Sequence, residues 1–279
     1  MPDRIQMLIE LALQEDIGTG DITTDAVLED EAVEASGTIL AKQDLVLSGL
    51  EIAKRVFLTV DPHLIWERYC EDGTCVPKGT VVVKVSGRFK SLLRAERTAL
   101  NFLQHLSGIA THTRRFVDQV EKKTPGAKAR ILDTRKTTPG MRALEKHAVR
   151  MGGGHNHRLG LYDRFLIKDN HLARVPLAEA IRRARTHNSN KVPIETEIQS
   201  LDQIEEAIAA GADILLMDNF SVKELKKAVA RVAGRVRVEA SGGVTLETVA
   251  DYAKTGVDFI SIGALTHSAP AADLSLEIS

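Results

Sequence analysis

The sequence predicts an α/β protein that joins two architectures, an N-terminal α+β domain and a parallel α/β domain of barrel type. Three observations predict this. Residues 33–87 alternate with period two between turn sequences, as antiparallel strands do. After Lys123 short apolar runs alternate with amphipathic helical runs, the pattern of parallel strands covered by helices. Gly211, Gly234 and Gly256 then stand where three of those helices should end. A chain of 279 residues, 43% of them hydrophobic, exceeds one average domain and can bury a substantial core.

Residues 3–15 carry Ile5, Leu8, Ile9, Leu11 and Ala12 at helical spacing. A glycine-rich loop, Asp16-Ile17-Gly18-Thr19-Gly20-Asp21-Ile22-Thr23-Thr24, follows. Strands are predicted at Val33–Lys42, Leu45–Leu47, Leu64–Cys70 and Thr80–Ser86, with a helix near 49–59 and a tight turn at Val76-Pro77-Lys78-Gly79. From Arg88 to about Lys123 the chain is helical, with Leu92, Leu93, Ala95, Leu100, Phe102, Leu103 and Leu106 as its apolar stripe. The later strands are Ala129–Leu132, Phe165–Ile167, Val192–Ile198, Asp213–Met217, Val236–Ala240 and Asp258–Ile262. Helices are predicted at 176–187, 200–210, 221–232 and 245–255. This divides the chain into residues 1–112, residues 113–266 and a segment 267–279 that could return to the first domain.

Composition narrows the function. The formal net charge is −1, and only 4% of residues are aromatic. Neither fits a protein whose main partner is nucleic acid. No apolar run is long enough for a membrane span. The start, MPDRIQMLIELALQED, lacks the basic region and cleavage site of a signal peptide. Cys70 and Cys75 flank a turn, are too few for a disulfide framework, and read as reduced thiols. A cytoplasmic enzyme fits all of this.

The chemistry concentrates in residues 133–171, which hold eight Lys/Arg, four His and four acids. Such a basic cluster inside a near-neutral chain is a local device. Arg135 and Lys136 follow an apolar run, Arg158 follows Gly152-Gly153-Gly154-His155-Asn156-His157, and Lys168 ends a second run. Guanidinium forks grip carboxylates and phosphates, so these four predict a pocket for a small, multiply charged anion. Arg142, Lys146 and Arg150 lie at helical spacing and read as a solvated helix face. In barrels the working residues gather at the C-terminal strand ends. Here those ends carry Arg135/Lys136, Lys168, Glu197, Asp218, Ser241-Gly242-Gly243 and Gly263-Ala264. Cations, then carboxylates, then glycine-rich backbone arrive in chain order. Ser241-Gly242-Gly243 is predicted to open the helix near 245, so its N–H groups and those of Gly263-Ala264 suit a phosphate; plain tight turns are the alternative. His267 could face that phosphate or be structural. Glu197 and Asp218 could hold sugar hydroxyls near a hydrated Mg²⁺, or cap helices. Glu195 points the same way as Glu197 and ranks second.

DTRKTTPGMRALEKHAVRMGGGHNHRLGLYDRFLIKDNH closely resembles the quinolinate phosphoribosyltransferase family, the decarboxylating nicotinate-nucleotide pyrophosphorylases. EDIGTGDITT, ERTALNFLQHLSGIAT, MDNF, SGGV and SIGALTHS extend the resemblance over nearly the whole chain. It implies an incomplete (open) α/β barrel plus an N-terminal α+β sandwich domain, of type II phosphoribosyltransferase kind. It implies transfer from 5-phosphoribosyl-1-pyrophosphate to quinolinate, giving nicotinate mononucleotide, pyrophosphate and CO₂. Arg135, Arg158 and Lys168, with His157 beside them, are then expected at quinolinate, Lys136 at the pyrophosphate, and Thr134 among the substrate-binding residues. Lys136, Lys168, Glu197 and Asp218 would be catalytic. Ser241, Gly242, Gly243, Gly263, Ala264 and His267 would bind phosphate. Mg²⁺ would be carried by the pyrophosphate rather than by a protein site. A homodimer or higher even oligomer is also implied, with Arg97 reaching the neighbouring subunit's pocket; the residues alone make Arg97 an ordinary exposed or Glu96-paired helix position. Three rivals differ in chemistry: a Schiff-base aldolase using Lys168, phosphoribosyl transfer to nicotinate without CO₂ release, and a non-catalytic binding protein.

Overall fold

The computed structural model describes residues 3–28 and 32–279. Met1 and Pro2, within the stretch read for a signal peptide, lie outside them. The chain forms two compact units, both discontinuous in sequence: residues 3–28, 32–112, 139–153 and 269–279, and residues 113–138 with 154–268.

The first unit begins with α1 (Arg4–Ile17), capped by Asp3, whose carboxylate accepts from the Ile5 amide. α2 (Ile22–Val27) follows, capped by Asp21. This helix sits at the end of the predicted glycine-rich loop; the Asp21 cap starts it. Then come β1 (Glu34–Ala41), β2 (Leu45–Val46), α3 (Leu50–Val60), β3 (Ile65–Arg68), β4 (Cys75–Val76), β5 (Val81–Arg88) and α4 (Phe89–Lys123), the last continuing into the second unit. In β1, Gly37, Ile39 and Ala41 are buried while their neighbours are less so, the period-two pattern of a half-buried strand. Ile9, Val56, Phe57, Ile39, Val83, Val85, Leu92 and Leu103 are core residues with almost no exposure.

One buried charge secures this unit. The Asp61 carboxylate, 1% exposed, accepts from Arg88 Nε at 2.8 Å, Ser91 Oγ at 2.9 Å and the His63 amide at 3.0 Å. The Arg88 bond first, then the amide and hydroxyl donors, outweigh burial and hold the carboxyl well below its ordinary range. A depressed folded-state pKa contributes stability above the unfolded value, lost as pH falls through the folded one. Asp61→Asn should therefore cost about 1.5–3 kcal/mol at pH 7. In denaturant titrations the gap from wild type should close as pH drops below about 4.

The remaining elements are β6 (Arg130–Leu132), α5 (Arg142–Met151), β7 (Phe165–Ile167), α6 (Asp169–Leu172), α7 (Leu177–His187), β8 (Ile194–Ile198), α8 (Gln203–Ala209), β9 (Ile214–Asp218), α9 (Val222–Val232), β10 (Arg237–Ser241), α10 (Val249–Ala253), β11 (Phe259–Ser261), α11 (Ala264–His267) and β12 (Leu274–Ile278). α5 and β12 belong to the first unit. β12 pairs antiparallel with β1 at the edge of a four-stranded sheet, order β12-β1-β5-β3. α5 corrects one expectation: Lys146 is 1% exposed, not on a solvated face. The short helix buries a broad surface, Leu144 through Lys146 with Ala148 and Val149, and His105 Nε2 meets the buried Glu145 carboxylate at 2.9 Å.

The second unit is a six-stranded parallel sheet, order β6-β11-β10-β9-β8-β7, with every pair parallel. β6 and β7, its two edges, are not paired with each other, so the barrel is open along one seam. The predicted helix at 245–255 is shorter here. Thr245 N donates to Thr248 Oγ1 at 3.0 Å, which holds residues 245–248 as a turn, and α10 starts only at Val249. Among the described residues, no helix is long and apolar enough to cross a membrane.

Candidate active site

Parallel strands deliver all their C-terminal ends to one edge of the sheet. Taken in sheet order, that edge carries Arg135/Lys136 after β6, Gly263-Ala264 after β11, Ser241-Gly242-Gly243 at β10, Asp218 at β9, Glu197 on β8 and Lys168 after β7. Chain order and spatial order differ. The two cationic ends flank the open seam, and the glycine turns lie between Lys136 and the acids.

The seam itself is lined by the segment that follows Gly154. His155 bridges to the free edge of β6: its amide donates to Ile131 O at 2.8 Å and its carbonyl accepts from Asp133 N at 3.1 Å. The buried Asp133 carboxylate then accepts from the His157 amide at 2.9 Å. This puts Arg158, half-buried, beside Arg135. Burial first, and the Arg135 charge second, lower the Arg158 pKa. Guanidinium groups of this kind suit a carboxylate or phosphate anion.

The other features are equally local. Thr134 Oγ1 accepts from Lys136 N at 3.0 Å and shapes the turn after β6. Thr266 Oγ1 donates to Lys136 O at 2.7 Å, tying that turn to α11. A methyl group at Gly263 would stand 3.0 Å from Lys136 Cδ and 3.1 Å from His267 Nε2, so the three line one small space. His267 is exposed and its Nδ1 lies 2.6 Å from Ser268 Oγ. Gly242 and Gly243 take φ of +93° and +63°, backbone that glycine adopts without strain. Gly242 also lies against Asn219, itself at φ +58°, whose Nδ2 donates to Asp218 Oδ2 at 2.8 Å. Burial, and then the charges of Asp169 and Asp218, raise the Glu197 carboxyl, while Lys168 opposes them. Those four groups therefore share one field.

The sequence-predicted residues of the second unit thus gather along one sheet edge. Arg97 does not join them within that unit: it is an exposed residue of α4 in the other one. For His157 the fold shows the partners of its ring. The residue is buried, and both ring nitrogens are engaged: Nδ1 accepts from Arg158 N at 2.7 Å and Nε2 lies 3.1 Å from Glu195 Oε2. Its peptide is drawn inward by Asp133, which leaves the ring serving its neighbours. The turn at 245–248 also means that Ser241-Gly242-Gly243 offers loop backbone rather than a helix start. Sequence alone assigned no role to Asp133, Asn219 or Glu239, which the fold bonds to His157, Asp218 and Ser261. The available signal for Glu239 was a lone carboxylate inside the apolar run Val236–Ala240.

Comparisons with known proteins agree with this geometry. The family model described as quinolinate phosphoribosyl transferase, C-terminal domain, matches residues 109–277, and its N-terminal-domain counterpart matches residues 21–107. The chain is 43% identical over 284 residues to a nicotinate-nucleotide pyrophosphorylase [carboxylating] of Mycobacterium leprae, covering 99% of this chain and 98% of that one. It is 41% identical over 277 residues to a probable nicotinate-nucleotide pyrophosphorylase [carboxylating] of Bacillus subtilis, covering 99% and 94%. Among solved structures, the nicotinate-nucleotide pyrophosphorylase from Francisella tularensis superimposes with a TM-score of 0.94 at 39% identity, covering 99% of this chain and 96% of that one. Matched along both of its domains, and with an open six-stranded barrel whose strand ends carry cations, acids and glycine turns, the chain belongs to the quinolinate phosphoribosyl transferase family.

Proposed function

We propose that the protein transfers the phosphoribosyl group of 5-phosphoribosyl-1-pyrophosphate to quinolinate and releases CO₂, the step that forms nicotinate mononucleotide in NAD biosynthesis. The observation that carries this reading is the spatial order of the strand ends, cations on both sides of the seam and acids beside glycine turns. Arg135, Arg158 and Lys168 bind the two carboxylates of quinolinate, and His157 positions Arg158. Lys136 meets the pyrophosphate. Glu197 and Asp218 hold the ribose hydroxyls, and the Ser241–Gly243 and Gly263-Ala264 backbone, with His267 alongside, seats the 5′-phosphate. The ring nitrogen attacks the anomeric carbon as pyrophosphate leaves through an oxocarbenium-like transition state. Fixed charges at the strand ends favour the charge that develops there. When the adjacent carboxylate departs as CO₂, the electron pair of the broken C–C bond stays on the ring carbon as an ylide stabilised by the positive charge of the quaternised nitrogen beside it, and that carbon then takes up a proton.

Mg²⁺ would be carried by the pyrophosphate of that substrate, with Glu197 and Asp218 nearby, and would supply charge stabilisation to the leaving group. The acids here suit such an arrival: Glu197 is raised by burial and by Asp169 and Asp218, a local excess of negative charge that a cation relieves. The free thiols of Cys70 and Cys75 agree with a cytoplasmic location. A spectrophotometric assay with quinolinate, phosphoribosyl pyrophosphate and Mg²⁺, omitting each in turn, tests the assignment. Product without quinolinate, or no release of labelled CO₂ from carboxyl-labelled quinolinate, would defeat it.

The same reading makes the active form a homodimer in which Arg97, exposed on α4, completes the partner's dicarboxylate pocket. Arg97→Ala and Lys168→Ala subunits should each be inactive. Mixed dimers should regain about a quarter of wild-type activity per dimer pool, because one pocket in each heterodimer carries neither substitution. Verified heterodimers with no recovery would place Arg97 elsewhere.

A further inference from the structure

Two buried acids inside the barrel take no part in the scheme above. Glu195 on β8 and Glu239 on β10 are 0% and 1% exposed. They meet the His157 ring: Nε2 lies 3.1 Å from Glu195 Oε2 and 3.5 Å from Glu239 Oε1. Ser261 on β11 donates its hydroxyl to Glu239 Oε1. Arg164 Nη1 stands 3.5 Å from Glu195 Oε2. Counting donors exposes a deficit. Both oxygens of Glu195 and Oε2 of Glu239 lack a well-formed hydrogen bond within the protein. Ionised carboxylates are acceptors only, so two of them cannot satisfy each other. Leaving buried charge in that condition is costly. A single hydrogen on one of the two acids supplies the missing donor.

We propose that Glu195 and Glu239 are positioning residues, a carboxylate and a carboxylic acid joined by one proton, which fix the Arg158 guanidinium of the dicarboxylate pocket through His157 and Arg164. Both ends of Arg158 depend on this pair. Its amide donates to His157 Nδ1 at 2.7 Å, and its Nη1 donates to the Arg164 carbonyl at 3.3 Å. His157 and Arg164 are the two cationic or donor groups that Glu195 contacts. Among the described residues, charged and titratable groups facing the pair include His157, Arg158 and Arg164 from the seam segment, with Asp133 behind His157. The directions agree. Burial and the neighbouring Glu195 charge push the Glu239 carboxyl well up, and although burial also opposes ionisation of Glu195, His157 and Arg164 outweigh it and keep that acid low.

A metal ion is the rival occupant, since a ring nitrogen and two carboxylates lie within 4.8 Å of one another. The tautomer argues against it. His157 Nδ1 accepts an amide proton, so Nε2 carries the ring hydrogen and turns a donor toward the acids. A ligand would turn a lone pair.

This inference deepens the proposed function and rests on it for its kinetic arm. Glu195→Gln should raise KM for quinolinate at least tenfold and leave KM for phosphoribosyl pyrophosphate within twofold. Glu239→Gln, which replaces an acid by an amide of the same shape, should raise KM for quinolinate markedly less than Glu195→Gln does. A merely structural role would lower the active fraction, and with it kcat, at unchanged KM. Independently of turnover, ¹⁵N-histidine spectra of the substrate-free protein at pH 7 should show one ring locked as Nε2–H, its signals absent in His157→Gln. The proposal is overturned by equal quinolinate defects in the two glutamine variants, by a folded Glu195→Gln enzyme with unchanged KM, by a His157 ring protonated at Nδ1, or by stoichiometric metal in the purified protein that Glu239→Gln removes. Wild type that binds no quinolinate would sink the functional reading alone, because the histidine spectrum still reads the pair.

Discussion

Arg135→Lys should cut kcat/KM for quinolinate by one to two decades, chiefly through KM, although the charge is retained. The Arg135 charge, after burial, lowers the Arg158 pKa, so the two guanidinium groups act on one another's surroundings. A guanidinium offers two parallel donors to a carboxylate, whereas an ammonium is a point charge on a flexible stem. Losing one charge-assisted bond of this kind costs about 1.5–3 kcal/mol, hence the range. KM for phosphoribosyl pyrophosphate should change far less. Steady-state kinetics with each substrate varied in turn checks both numbers, and wild-type behaviour would remove Arg135 from the pocket.

Gly242→Ala should abolish use of phosphoribosyl pyrophosphate while quinolinate still binds. A Cβ at this position would lie 2.1 Å from Asn219 Oδ1, 2.7 Å from its Cγ and 2.9 Å from its backbone nitrogen. The side chain could swing away; the backbone cannot, since Asn219 N donates to Ser241 O at 2.8 Å. Displacing Asn219 also releases Asp218, the other end of its amide bond. The loss in kcat/KM should exceed about 100-fold, or about 2.7 kcal/mol. Gly243→Ala is the control. It has a left-handed φ of +63° but nothing within 4 Å of the added carbon, so it should cost only the conformational strain of about 1–2 kcal/mol. Equal effects from the two variants would mean that the loop does not seat a phosphate.

The barrel was legible because short runs rich in apolar residues alternate with amphipathic helical runs, and several of those short runs end in charged residues. Lys168 after Phe165–Ile167 is the clearest case. What escaped depended on partners far along the chain. Leu274, Leu276 and Ile278 alternate as a strand would, and a return to the first domain was open, but nothing in that segment names residues 37–41 as the partner. α2 was hidden because Gly18 and Gly20 suggested a loop that Asp21 then terminates with a cap. Lys146 and Glu239 defeated the rule that charges face water, one on a helix buried over most of its surface, the other inside a barrel that offers it a hydroxyl and a shared proton. His157 was expected beside the substrate carboxylates, and only the fold shows that Arg158 N and Glu195 engage its ring.

The antiparallel ladder between β1 and β12 has a consequence for biogenesis. During vectorial synthesis Gly37 leaves the ribosome long before Ile278, its partner, so the nascent sheet exposes an unzipped flank for on the order of ten seconds or more at ordinary elongation rates. Recombinant versions cut just before Leu274 would keep that flank open permanently and should sediment as aggregates, even though every residue of the barrel is still encoded.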